Sequence, residues 1–186
     1  MIKTMSNRIS RFLVGRGADV DEEVLSYGAE CFLNELLSNA LLILIGLLTH
    51  HVWELLLWSV SFCLLRVNLG GLHASSHGWC VGLGTLIGAS SILISPWLLR
   101  YAEVSALLTI LALVIAIVIA PVRHKNKQHV QTKRKELKRK VAVIGALEVL
   151  SVGLVYAVHP IASSYIASGL IMATLLALAG VIWNPR

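Results

Sequence analysis

The chain has 186 residues, of which 56% are hydrophobic and only 14% charged, with a mean hydropathy of +0.77. Soluble domains usually carry about 25% charged residues, and here the apolar residues gather in long blocks, so an integral membrane protein is expected rather than a soluble domain. Three cysteines with no CxxC exclude a disulfide framework or a Cys-rich zinc site, and the net charge of +6 reads as membrane topology rather than nucleic-acid binding.

In chain order, residues 1–29 are expected to form cytoplasmic or interfacial helices. Residues 5–15 look like a short basic amphipathic helix lying on the inner membrane surface. No apolar run there is long enough for the core of a signal peptide. Asp19 followed by Glu22 resembles a capping signal for a second helix that continues into the first crossing.

Crossing a hydrocarbon core of roughly 30 Å takes about 20 apolar residues. Six segments qualify: 30–49, 52–65, 79–99, 102–122, 141–158 and 161–183. The second has fourteen residues, which leaves open a tilted partner in a hairpin or a segment that enters without crossing. Charge favours six. With the N-terminus inside, fifteen of the sixteen Lys/Arg lie on the cytoplasmic side and only Arg100 lies outside, as the positive-inside rule requires. Trp53, Trp79, Trp97 and Trp183 fall near segment ends, where amphipathic rings sit at the interface, while Trp58 is in mid-segment. The expected fold class is therefore all-α, a single polytopic membrane-embedded domain over 1–186.

Between the second and third segments lies the break 66–80, "RVNLGGLHASSHGWC", on the cytoplasmic face in this topology. Cys80 opens an apolar helix, and the partial positive charge of a helix N-terminus favours a thiolate. A nearby histidine could take its proton, making a pair able to attack a carbonyl. The alternative is a buried cysteine that only packs. His73 and His77 both qualify as the base. In one straight helix His73 and Cys80 would be about 10.5 Å apart along the axis, so spacing leans to His77. Gly70, Gly71 and Gly78 argue against one continuous helix, however, and a loop folding back would bring His73 in. Spacing leaves both open.

Arg66, the run Gly70-Gly71-Leu72-His73-Ala74 and Cys80, seven residues after His73, resemble the signature of the accessory gene regulator B family. Pro121 through Asn126-Lys127 resembles the family's second motif. These are bacterial membrane cysteine endopeptidases that mature quorum-sensing peptides. The resemblance implies Cys80 as nucleophile and His73 as base, and it gives His77 no role. It further implies a membrane-bound propeptide as substrate. Its C-terminal tail would be cleaved through an acyl-enzyme thioester, followed by ring closure to a thiolactone or lactone. A homodimer in the bacterial plasma membrane is implied as well. No third residue orienting His73 is identified, and no cofactor is expected.

Arg66, Gly70 and Gly71 are candidate substrate-binding residues. The basic stretch 123–140 carries nine Lys/Arg and reads as a topology-setting loop touching the anionic inner leaflet. Alternatively Lys133, Arg134 and Lys135 hold an acidic propeptide tail beside Cys80. Glu35 and Glu148 lie in or near crossings, where carboxyls are costly and face a partner or water. They would be the starting point for the rival reading, a small transporter or scaffold without a catalytic cysteine. Peptide export by the same protein is a third possibility. Cys31 and Cys63 read as packing residues, Ser75 and Ser76 as loop or capping residues, and Gly84 with Gly88 as a site of close helix packing or self-association. No HExxH, GxSxG or Walker pattern is present.

Overall fold

A computed structural model describes residues 2–17, 20–71, 76–122 and 134–183. Within them the chain forms seven helices and no strand: α1 (Ile2–Gly15), α2 (Glu22–Thr49), α3 (Val52–Leu69), α4 (His77–Arg100), α5 (Ala102–Ile119), α6 (Arg134–Val158) and α7 (Pro160–Trp183). Helices α2 to α7 are each long and apolar enough to cross a membrane. This is a multi-pass membrane protein with the six expected spans.

The ends of these helices depart from the hydropathy pattern for local reasons. The second span has eighteen residues rather than fourteen, because α3 continues through the polar Arg66 and Asn68 before Gly70 ends it. At 1.5 Å per residue it covers about 27 Å. The fifth helix stops at Ile119 instead of reaching 122, since Ala120 precedes a proline and is extended (φ −64°, ψ 143°). Helix α6 starts at Arg134, so 134–140 are its exposed first turns and not part of a loop, with Lys140 paired to Glu136 at 2.8 Å. Helix α2 runs unbroken for 28 residues, joining the N-terminal region to the first span as expected. Its N-cap is Asp21; Asp19 lies outside the described residues.

Helix α7 is the most enclosed span and packs on α3, α4, α5 and α6. Its buried face is built from small residues, among them Ala162, Ser163, Ser164, Ala167, Ser168, Gly169, Ala173 and Ala177. Small side chains let helix backbones approach closely, which is the main source of packing energy when lipid competes with every apolar contact. A Cβ on Gly169 would lie 2.8 Å from the Trp58 carbonyl oxygen. Trp58 itself is 2% exposed and stacks on Phe62 with ring centroids 4.7 Å apart. Trp53, Trp79, Trp97 and Trp183 are by contrast exposed, so the one mid-segment tryptophan is a core residue. Gly84 and Gly88 face Ser38 and Leu42 of α2. That motif packs α4 within the chain.

Candidate active site

The link between α3 and α4 is shorter than the sequence break. Arg66 is the last-turn cation of α3, while His77 to Cys80 form the first turn of α4. The two glycines have separate jobs. Gly70 ends α3 with φ +76°, its N–H donating to Arg66 O at 2.9 Å. Gly71 follows at φ +146°, and a Cβ there would overlap Arg66 Nη1 and come within 3.2 Å of Ala177 Cα. Only glycine takes such backbone at little cost while leaving that space. The second motif block begins in the same place: Val122 N–H donates to Leu69 O at 2.9 Å, directly after Pro121. Asn126 and Lys127 lie outside the described residues, as do His73, Ser75 and Lys133.

Ser76 is the N-cap of α4, its hydroxyl accepting from Trp79 N–H at 3.3 Å. Cys80 is half-buried in the turn that follows, its N–H bonded to Ser76 O at 3.0 Å. Side chains on a helix lean toward its N-terminus, which aims this sulfur back toward the start of α4. Facing it is Arg66. The guanidinium lies within interaction range of Glu35, Cys80, Cys31 and Tyr27. It also sits 5.9 Å over the Phe62 ring and is 3.5 Å from Gly70 O through Nη1. A cation so placed stabilises negative charge on any thiolate beside it.

Helix α2 supplies the far wall. Tyr27, Cys31 and Glu35 recur every four residues and so share one stripe. Below them a polar string joins α2 to α3. The Cys63 thiol donates to Glu35 Oε1 at 3.0 Å, Asn39 Nδ2 reaches the same oxygen at 3.4 Å, and Ser59 donates to Asn39 Oδ1. Cys31 and Cys63 therefore do more than fill space: one borders Arg66 and the other bonds Glu35. Sequence reading missed Tyr27 and Cys31, although the four-residue repeat of reactive side chains ahead of an apolar helix was the available signal.

His77 addresses α2. Its Nδ1 is 3.2 Å from Asn34 Nδ2 and its Nε2 is 4.0 Å from Glu30 Oε2, so both ring nitrogens address α2. The spacing that leaned toward His77 as partner of Cys80 carries no information about these contacts across to α2. Arg134 and Lys135 stand exposed at the start of α6. Glu148 is buried in mid-bundle, accepting from Ser61 at 3.1 Å. Among the described residues no group of three or more His, Cys, Asp or Glu could hold a metal ion.

Comparison with known proteins bears on what this arrangement serves. The family model described as Accessory gene regulator B matches residues 6–179. An AgrB-like protein of Clostridium perfringens (strain SM101, type A) is 26% identical over 172 residues, covering 88% of this chain and 78% of that protein. No solved structure matches the chain. The motif break, the six spans and a family match over nearly the whole length agree. The chain belongs to the accessory gene regulator B family, and that membership supports a role in accessory gene regulator peptide processing.

Proposed function

We propose that the chain is a membrane cysteine endopeptidase in which Cys80 is the nucleophile and His73 the general base. The observation that carries this reading is the Arg66 guanidinium, within interaction range of Cys80 in the first turn of α4 and beside Gly71, where a Cβ would overlap it. His73 is taken from the family motif. The engagement of both His77 nitrogens by α2 leaves it as the better partner for the thiol.

In this mechanism His73 accepts the Cys80 proton and the sulfur attacks a backbone carbonyl carbon of a membrane-bound propeptide. The tetrahedral intermediate collapses with cleavage of the C–N bond, and His73 returns the proton to the departing amine. The C-terminal fragment leaves and the N-terminal part remains as a Cys80 thioester. A cysteine or serine of the same peptide then attacks the thioester carbonyl, closing the ring and releasing Cys80. Water at that step would give a linear product, so the site must hold the peptide's own nucleophile close. The distribution of Lys and Arg supports both termini and the active site lying on the cytoplasmic face. An amphipathic propeptide and an anionic inner leaflet fit that placement, and a homodimer follows the family resemblance.

The test uses the full chain co-expressed with a candidate propeptide, followed by mass spectrometry of the product. Cys80→Ala abolishes processing and His73→Ala lowers it by about a hundredfold or more, with both variants still inserted in the membrane. If either processes peptide at the wild-type rate, the assignment of that residue is wrong. One observation favours a second reading, transport. Glu148 is buried among spanning helices with Oε1 lacking a hydrogen-bond partner among the described residues. Export lost in Glu148→Gln with cleavage intact would separate the two activities.

A further inference from the structure

The strongest unassigned feature beside the site is a chain of polar contacts running through three helices. Ser6 of α1 is fully buried, and its hydroxyl is 3.4 Å from Glu30 Oε1 on α2. The other oxygen of that carboxyl lies 4.0 Å from His77 Nε2, at the first position of α4. One turn further along α2, Asn34 is buried, with Nδ2 3.2 Å from His77 Nδ1. With the amide as donor, Nδ1 is the acceptor and the ring proton sits on Nε2, facing Glu30. Both ring nitrogens face one helix, Nδ1 within hydrogen-bond distance of Asn34 and Nε2 4.0 Å from Glu30. His77 is in the same helical turn as Cys80, three residues ahead of it.

We propose that His77 is a positioning residue that clamps the first turn of α4 to Glu30 and Asn34 of α2 and so sets the Cys80 sulfur against Arg66. The inference rests on the reading of Cys80 as nucleophile. The physical case is that the first turn of α4 meets α2 through this one side chain, with Asn34 at Nδ1 and Glu30 toward Nε2. A contact across two helices so close to Cys80 bears on where its sulfur lies. Ser76 caps the turn along its own axis, Ser38 of α2 donates to Val81 O at 3.3 Å and ties the next turn sideways, and His77 does the same for the first. Arg66 is anchored separately by Gly70 O and the Phe62 ring, so a sideways shift of α4 changes the distance between sulfur and guanidinium. Helix α1 joins the same tie through Ser6.

The test is a double-mutant cycle on the full-length protein in membranes, with iodoacetamide as probe. Mass spectrometry reads alkylation of Cys80, with Cys31 and Cys63 in the same sample as internal references. Glu30→Gln keeps the shape of the side chain and removes its charge; His77→Ala removes the ring. Each slows alkylation of Cys80 about fivefold, and the double variant is no slower than either single one, the signature of a shared contact. Cys63, held by Glu35, reacts at its wild-type rate in all of them. Ser6→Ala gives a smaller change in the same direction, about twofold. A double variant whose loss is the product of the single losses overturns the proposal, as do single variants that leave Cys80 unaffected. A parallel change at all three thiols overturns it too, because that marks general loosening. If His77→Ala fails to insert, Glu30→Gln alone decides through the ratio of Cys80 to Cys63 labelling. Loss of the peptidase reading is detected separately, by a Cys80→Ala protein that still processes propeptide.

Discussion

Helix α3 passes through two environments that use different physics. Its middle, around Trp58, is held mainly by shape: Gly169 brings the α7 backbone against the Trp58 carbonyl, on a face rich in small residues. Its last turn, around Arg66, is held by charge and by backbone that only glycine tolerates. In the middle most contacts are of shape, with Ser61 the exception through its contacts to Glu148 and the Ile166 carbonyl. At the end the partners are specific atoms, and the spatial order of Glu35, Arg66 and Cys80 matters more than filled space. A membrane interior offers little hydrophobic drive between helices, so a core of small residues leaves the polar end able to keep functional groups that packing alone would not favour.

The contrast can be broken with two glycines. Gly71→Ala should cut propeptide processing by the folded fraction about tenfold to a hundredfold, because backbone that costs an L side chain roughly 1–3 kcal/mol relaxes by displacing Arg66. Gly169→Ala should do the reverse, costing about 1–3 kcal/mol of stability through overpacking against Trp58 and Ser61, with processing by the folded fraction preserved. The same loss of activity at equal folded fraction in both would erase the distinction between the two regions. A smaller effect is expected at α6. Combining Arg134→Glu and Lys135→Glu slows cleavage of an acidic-tailed propeptide by a few-fold, about two to five at moderate salt, and a neutralised tail by less. Equal slowing of both tails removes α6 from substrate recognition. Smallest is Glu148→Gln, which preserves the contact with Ser61 and should leave cleavage within about twofold of wild type; a larger fall would tie the mid-bundle carboxyl to the chemistry.

The membrane class and the six spans were legible because hydropathy is summed over some twenty residues and tolerates local error. Segment ends were not. Arg66 and Asn68 read as the end of the second span, yet helical hydrogen bonding continues through them to Leu69, since Arg66 finds Gly70 O and the Phe62 ring. The 134–140 stretch read as loop for the same reason, charge being mistaken for absence of helix. Trp58 could not be separated from the interfacial tryptophans without knowing which face of α3 meets α7.

Sequence by itself determined the type of protein, the place of the break, and the motif residues Arg66, Gly70, Gly71 and Cys80, because glycine strain and motif spacing are properties of a short stretch of chain. Tertiary structure decided which groups meet there. Tyr27, Cys31 and Glu35 come to Arg66 from a helix some thirty residues earlier, and His77 meets Glu30 and Asn34 of that same helix. Side-chain direction depends on what lies across the interface, and the packing of α2 on α3 and α4 is written in no single segment.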